Sequence, residues 1–333
     1  MTNLGTVLGA ILRDKERLKE GVHDTGEAMT YLLGANGSVQ IYISSFSINY
    51  RDYNLTNNIG IWGHPTKGIW GTNKWGTDAT AFDSWVEAQG GTPAISLLVK
   101  AGVKQIEDWF YGKSVDNPAY LAIGTGTSDI TTDDTTLDTE ITRISHVSAE
   151  GIGTVLYTAT FNTLEGNAND LQEAGIFDDS SSGNMYLRFD FNPFDKDNLK
   201  ELKVVLFLSI SAKLPVTNRG TEKVIDFLSC QTPTQISHMA WGNGTTAVTI
   251  SDTTMESELQ RNTAITDSSY GTYSWNGLLQ TSQPSGQPTS VTRTALFDAS
   301  SSGNMCFIAE HASINKTSRL EIETKHTVGF KNP

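Results

Sequence analysis

The sequence predicts a mainly β protein: two tandem, duplicated antiparallel β-sandwich domains with short helices, preceded by an N-terminal helix and a Trp/Gly-rich β region. Three observations favour this class. Charged residues make up only 18% of the 333 residues, below the roughly 25% of an average globular protein, and turn-forming residues replace them. Short alternating apolar segments lie between turn signals at close spacing. An internal repeat covers most of the chain.

Composition limits the function. With 24 Lys and Arg against 37 Asp and Glu, the net charge is −13, so we expect neither a nucleic-acid nor an anionic-membrane partner. Two cysteines, Cys230 and Cys306, are too few for a disulfide framework or a four-cysteine zinc site. No apolar run approaches the ~20 residues of a membrane span, and the start does not resemble a secretory signal. We expect no cofactor.

The repeat is the strongest signal in the sequence. Three blocks of the first copy recur in the second, the first two 118 residues later and the third 120 residues later. The matched blocks are Ile123–Thr127 with Trp241–Thr245, Asp134–Arg143 with Asp252–Arg261, and Ser180–Met185 with Ser300–Met305. The closing strand aligns at 118, with Leu202, Val204, Leu206 and Leu208 on Leu320, Ile322, Thr324 and His326. One duplication explains this shared order.

The repeat divides the chain into four predicted parts. Residues 1–30 form a helical docking segment, residues 31–95 a Trp-Gly-rich β region with a strand at Val39–Tyr50, and residues 96–213 and 214–333 the two sandwich copies. Five apolar residues of the first part share one helix face: Leu4, Val7, Leu8, Ile11 and Leu12. We expect this face to dock on another chain or on another part of this one.

Each copy has the same predicted elements in order. The first copy begins with an amphipathic helix at Leu97–Tyr111. A Gly-x-Gly-Thr turn follows the first strand, and one helical turn starts at an N-cap, Asp134 or its counterpart Asp252. A Ser-Ser-Ser-Gly-Asn hairpin loop then uses Gly183 and Asn184, which tolerate positive φ. The strands are Tyr120–Ile123, Val155–Phe161, Tyr186–Phe191 and Leu202–Ser209.

Two motifs resemble ligand sites. Gly242-x-Gly244-x-x-Ala247 superficially fits a dinucleotide fingerprint, but an extended Val248–Ile250 follows where a helix is required, so a structural turn is favoured. The acidic loop of the first copy lacks the ligand spacing of a Ca²⁺ loop, and a solvated capping loop is favoured. The loop carries Asp129, Asp133, Asp134 and Asp138.

One charged pair recurs. Glu140 and Arg143 return as Glu258 and Arg261, three residues apart, where one helical turn pairs them. Such pairs occur in catalytic sites, but no nucleophile accompanies this one, so a structural clamp is favoured. We therefore predict no catalytic, cofactor-binding or metal-binding residue and no enzymatic activity.

A Trp-Gly array is the best candidate contact surface. Trp62, Trp70 and Trp75 are each followed by Gly, which predicts tight loops with stacked or partly exposed indoles. Exposed indoles stack on the apolar faces of sugar rings, whereas packing against a neighbouring subunit is the alternative. The sequence favours neither sugar binding nor subunit packing over the other.

The motifs of the first copy resemble a known family. A helix, Ile123-Gly-Thr-Gly-Thr127, a Thr-Leu-x-x-Glu-x-x-Arg segment, Glu173-Ala-Gly-Ile-Phe177, a Ser/Gly hairpin, a Lys and an alternating strand are similar to β-sandwich proteins of tailed viruses. These are tail-, fibre- and baseplate-associated virion proteins. The second copy departs at Asn243 and at Thr294–Phe297. The resemblance implies no catalytic residue.

The predicted function follows from this resemblance. We expect a virion structural protein, an oligomeric building block of a tail, fibre, baseplate or collar that assembles with itself and with other virion proteins. The alternative is a receptor- or glycan-binding module for host attachment on the virion surface. A hydrolase of host polymers is disfavoured because no catalytic constellation is present.

Overall fold

The computed structural model describes residues 21–24, 29–52, 84–93, 95–110, 112–269, 272–287 and 289–331. The described part is mainly β, as predicted, and neither of its two helices has the length and apolar character to cross a membrane. The helices are α1 (Lys100–Phe110) and α2 (Asn218–Leu228). The strands are β1 (Gly21–Asp24), β2 (Met29–Asp52), β3 (Val86–Gly91), β4 (Ser96–Leu98), β5 (Tyr120–Gly124), β6 (Glu140–Ser145), β7 (Val147–Gly151), β8 (Thr154–Phe161), β9 (Ala168–Phe177), β10 (Met185–Lys196), β11 (Lys200–Ala212), β12 (His238–Gly242), β13 (Glu258–Thr263), β14 (Ile265–Ser269), β15 (Thr272–Leu279), β16 (Thr289–Phe297), β17 (Met305–Lys316) and β18 (Leu320–Lys331).

The strands form three sheets in which the two copies have the same order. A five-stranded sheet, β4-β10-β9-β5-β6, belongs to the first copy, and a four-stranded sheet, β13-β12-β16-β17, belongs to the second. A nine-stranded sheet has the path β14-β15-β18-β2-β11-β8-β7, with β1 and β3 also paired to β2. Strands β5 to β11 therefore correspond one by one to β12 to β18.

Strand β2 joins the two copies. Its residues Val39–Asp52 pair antiparallel with β11 of the first copy, and its residues Met29–Gln40 pair in parallel with β18 of the second. One large hydrophobic cluster contains the inward side chains of β2 together with those of both copies. The predicted boundary between residues 30 and 31 falls inside this strand, and the division into two sandwich domains stays a prediction.

The two helices meet between the copies. Trp109 of α1 stacks on Phe227 of α2 with ring centroids 5.1 Å apart, and these residues are counterparts in the repeat. Helix α2 begins after Thr217, whose side chain accepts a hydrogen bond from the Gly220 amide, an N-cap. Helix α1 begins at Lys100 rather than the predicted Leu97, because the preceding residues pair with β10 as β4.

The predicted alignment of the closing strand is wrong by two residues. Phe161 of β8 pairs with Leu202, and its counterpart Leu279 of β15 pairs with Ile322 rather than Leu320. The structural counterpart of Leu206 is therefore His326. Side chains alternate along a strand with a period of two, so a two-residue shift keeps the same side chains inward and leaves the pattern unchanged.

The predicted helical turn at Asp134 and Asp252 is also wrong. Each carboxylate binds back to the threonine three residues earlier: Asp134 accepts from the amide and hydroxyl of Thr131, and Asp252 from those of Thr249. These local bonds stabilise a turn instead of capping a helix. In the Ser-rich hairpin loop, Gly183 has φ 101°, as its position predicted.

His326 is an unfavourable buried group of the described core. Its side chain is fully buried against the ring of Phe307, with centroids 4.5 Å apart, and neither ring nitrogen has a hydrogen-bond partner. Burial lowers its pKa to about 3, because the charged form would lose its hydration. The first copy has the apolar Leu206 at this place.

We predict that His326→Leu stabilises the protein by about 1–3 kcal/mol at neutral pH, the cost of an unpaired buried polar group. Because the unfolded chain binds the proton below about pH 6.5 and the folded chain does not, wild-type stability falls as the pH drops below this value. The variant should lose less stability there. Urea unfolding between pH 4 and pH 8 measures both effects, and a less stable variant would contradict the prediction. Leu206→His is the matched reverse variant and should destabilise.

Candidate functional site

Two groups of sequence-predicted contact residues lie outside the described residues. They are the helical stripe Leu4, Val7, Leu8, Ile11 and Leu12 and the indoles Trp62, Trp70 and Trp75. Their roles stay predictions.

The structure brings both predicted Glu–Arg pairs together. Arg143 donates two hydrogen bonds to Glu140, of 3.0 and 2.7 Å, and Arg261 donates two to Glu258, of 2.9 and 2.6 Å. The Arg side chains are only 5% and 9% exposed. Each guanidinium lies 3.5 Å from the centroid of a phenylalanine ring, Phe177 or Phe297, a cation–π contact.

These pairs lie on strands rather than on the predicted helical turn. The register between β5 and β6 shifts between Ile123 and Gly124, so that Ile141 is an extra residue, and the same shift occurs between β12 and β13. Such a bulge brings residues three apart onto one face of a strand. Arg143 also donates to the backbone carbonyls of Asp179 and Ser182, which ties the hairpin loop to β6.

A buried carboxylate occupies the Gly-x-Gly turn of the first copy. Glu173, which is fully buried, accepts hydrogen bonds from the amides of Gly126, Asp138 and Thr139. Arg188, also buried, binds Glu173 at 2.8 Å and Asp134 at 2.7 Å. The amides that a phosphate loop would direct at a ligand thus bind the protein's own carboxylate, which agrees with the structural-turn interpretation.

The second copy builds the same turn with the opposite charge at its centre. Arg293 is the counterpart of Glu173 and is 3% exposed. It donates to the carbonyl of Thr246 at 2.8 Å and lies 3.3 Å from Glu256 and 3.6 Å from Glu310. Glu256 accepts from the amides of Thr245 and Thr246. The turn is closed by a carboxylate in both copies, but the buried central group is an anion in one and a cation in the other.

Glycine is required at these turns by close packing. A Cβ on Gly126 would lie 2.4 Å from a carboxylate oxygen of Glu173, and one on Gly244 would lie 2.6 Å from the guanidinium carbon of Arg293. These distances are shorter than van der Waals contact. The second glycine of each Gly-x-Gly turn is therefore explained by the buried ion behind the turn.

Sequence reasoning missed the role of one lysine pair. Lys196 and its counterpart Lys316 are buried, and their ammonium groups bind loop carbonyls: Lys196 that of Asn162 and Lys316 that of Thr281. Burial lowers the pKa of both to about 8. Each lysine anchors the loop that precedes β9 or β16. The repeated Lys at an alternating-strand position was the available signal.

The acidic side chains of the described residues do not gather into a metal-binding group. No group of three or more His, Cys, Asp or Glu side chains within the described ranges is placed to hold a metal ion. Asp129, Asp133, Asp134 and Asp138 do not converge on a common point, and Asp134 and Asp138 bind neighbouring loop groups instead. No protein-family model, curated protein or solved structure matches this chain.

We predict that Glu173→Gln lowers the free energy of unfolding by about 3–5 kcal/mol, because it leaves the guanidinium of Arg188 buried with an incomplete charge partner. The matched control is Glu222→Gln, which breaks an exposed pair with Arg219 and should cost under about 1 kcal/mol. Urea unfolding measures both. Equal costs for the two variants would show that Glu173 does not stabilise the turn through its charge.

Proposed function

We propose that this protein is a non-enzymatic structural protein of a tailed-virus particle, which acts by assembling with copies of itself and with other virion proteins. The observation that carries the proposal is that the repeated charged residues bind groups within this chain. The conspicuous charged groups of both copies bind backbone and side chains of their own loops. They stabilise a duplicated β scaffold, which is what an assembly protein requires.

The edges of the nine-stranded sheet support assembly. Within the described part of the chain, β7 pairs only with β8 and β14 only with β15, so each leaves one row of backbone groups unpaired. Unpaired edges are templates for strand addition. Val147 on β7 is 73% exposed and Ile265 on β14 is 40% exposed, so each edge also presents an apolar side chain.

The virion context rests on the resemblance of the first-copy motifs to β-sandwich proteins of tailed viruses. In this proposal the second copy enlarges the β scaffold and does not add a separate active site. The net charge of −13 keeps separate subunits apart until specific apolar contacts overcome the repulsion.

We predict that the full chain self-associates at micromolar concentration and that Val147→Lys and Ile265→Lys each weaken association at least about ten-fold, since a desolvated charge costs more than 1.4 kcal/mol. Leu164→Lys is the matched control, because Leu164 is 85% exposed in the loop that follows β8 and lies on neither edge strand. Sedimentation velocity measures association. A chain that remains monomeric at high concentration, or that binds glycans through Trp62, Trp70 or Trp75 without associating, would contradict the proposal.

A further inference from the structure

The free edge of β7 presents a defined set of backbone groups. Strands β7 and β8 are joined by a two-residue turn, because Gly151 pairs with Thr154. In such a hairpin the two residues next to the turn form a hydrogen-bonded pair, and hydrogen-bonded and non-hydrogen-bonded pairs alternate from there. The amides and carbonyls of Ser148 and Glu150 therefore point away from β8, to the side where a further strand would add.

A cavity lies beside this edge. Its volume is about 540 Å³, and it is lined by Ser148, Ala149 and Glu150 of β7 and by residues of α2 and of the loop that follows α2. Within the part of the chain that the structure describes, β7 pairs with β8 alone. An added strand can thus reach Ser148 and Glu150 without displacing a described strand.

An apolar row crosses the outward face of the sheet and ends at the same edge. Ala149 is opposite Leu156 of β8, and Leu156 is opposite Phe207 of β11. The residues next to them along the strands, such as Tyr157 and Leu206, are buried in the core, so the row lies on the opposite face of the sheet. Ala149 is exposed and Phe207 is 40% exposed. The row is therefore interrupted at β7.

A second copy of β7 fits this edge. If two β7 strands pair antiparallel about a two-fold axis at Ala149, Ser148 of each copy lies opposite Glu150 of the other, and the free backbone groups form hydrogen-bonded pairs. The two Ala149 residues then face each other, so the apolar row continues from one copy into the next. Glu150, the charged residue of β7, lies opposite a neutral residue.

The same register covers two exposed apolar side chains of the hairpin. Val147 is 73% exposed and Ile152 is fully exposed. Because they lie at opposite ends of β7, an antiparallel partner brings Val147 of each copy to Gly151 and Ile152 of the other. The contact occurs twice about the axis, and its removal from water favours association.

The other end of the nine-stranded sheet does not offer this pairing. Strand β14 is the counterpart of β7, and Asp267 takes the place of Ala149. Asp267 is opposite Ser274, and Ser274 is opposite Thr327, so the row that is apolar in the first copy is polar in the second. Two-fold pairing about Asp267 would put two carboxylates directly opposite each other, which is unfavourable.

We propose that β7 binds β7 of a second copy of this chain, antiparallel and about a two-fold axis at Ala149, which joins the two nine-stranded sheets into one. The inference rests on the proposed self-assembly and specifies one of its contacts. In this dimer β14 lies at both ends of the joined sheet and is left for further contacts of the assembly.

Disulfide trapping in the full chain tests the register. In a Cys230→Ser background, which removes the exposed native thiol, Ala149→Cys places one thiol at the axis. Opposite residues of a non-hydrogen-bonded pair have Cα atoms about 4.5 Å apart, which a disulfide can span. We expect Ala149→Cys to form disulfide-linked dimers at least about ten-fold faster than the control Leu164→Cys, whose exposed site lies in the loop after β8.

A mixture of two single variants, Ala149→Cys and Asp267→Cys, distinguishes two-fold pairing from head-to-tail addition of β7 to β14. We expect the Ala149→Cys homodimer to form faster than the mixed dimer. The two-fold pairing would be overturned by a mixed dimer that forms faster, or by Ala149→Cys dimers that form no faster than those of Leu164→Cys.

A second measurement needs no new cysteine and separates this inference from the proposed function. Ala149→Asp should weaken self-association at least about ten-fold in sedimentation velocity, because like charges meet at the axis, whereas Asp267→Ala should leave the dimer intact. Ala149 is exposed, so the variant retains the fold. If the wild type and Ala149→Asp associate equally well, the two-fold pairing is wrong and the proposed function stands. A wild-type chain that stays monomeric contradicts both.

Discussion

The pairing of one strand with both copies of a duplicated unit is the constraint on which the rest of the structure depends. β2 belongs to neither copy, yet it completes the sheet of each: β11 covers one of its edges and β18 the other, and both reach Val39 and Gln40. Because β11 runs antiparallel to β2 and β18 parallel to it, the two copies approach in opposite directions. Their helices then meet through Trp109 and Phe227, and one large hydrophobic cluster contains side chains of both copies.

The paired turns show how a duplicated unit retains a shape while its electrostatics change. In the first copy a buried carboxylate, Glu173, binds the turn amides directly; in the second, Arg293 occupies that place and Glu256 supplies the carboxylate. The two carboxylates bind different amides: Glu173 those of Gly126, Asp138 and Thr139, and Glu256 those of Thr245 and Thr246. A buried ion is tolerated in each copy because it is paired and hydrogen-bonded. The Arg143 and Arg261 clamps keep the same charge in both copies, since each must bind the carbonyls of a hairpin loop and lie on a phenylalanine ring.

Much of the fold could be predicted because alternation and repetition are local signals. The Val155–Phe161 strand, the first helix and the Gly183 loop are close to their predicted positions. The two-residue error in the alignment of Leu202 could not be detected, because a shift of two leaves an alternating pattern unchanged. The pairing of Glu140 with Arg143 was predicted from helical spacing, but a β-bulge brings these two residues together. The joining role of β2 could not be predicted, since a strand's partners depend on non-local contacts. The 120-residue offset aligns Arg293 with Glu173, but the burial of both ions behind the same turn could not be predicted, because it depends on non-local packing.

The central claim is that β2 couples both copies into one cooperative structure. Native-state hydrogen exchange on the full chain, compared between the wild type and Val39→Asp, tests it most directly, because Val39 is buried and pairs with both Ala212 and Phe330. A buried unpaired charge at this position destabilises whatever depends on the strand. The account predicts that protection falls by the same factor in β8 and β11 as in β15 and β18. Loss of protection in one copy, with the other unchanged, would contradict it.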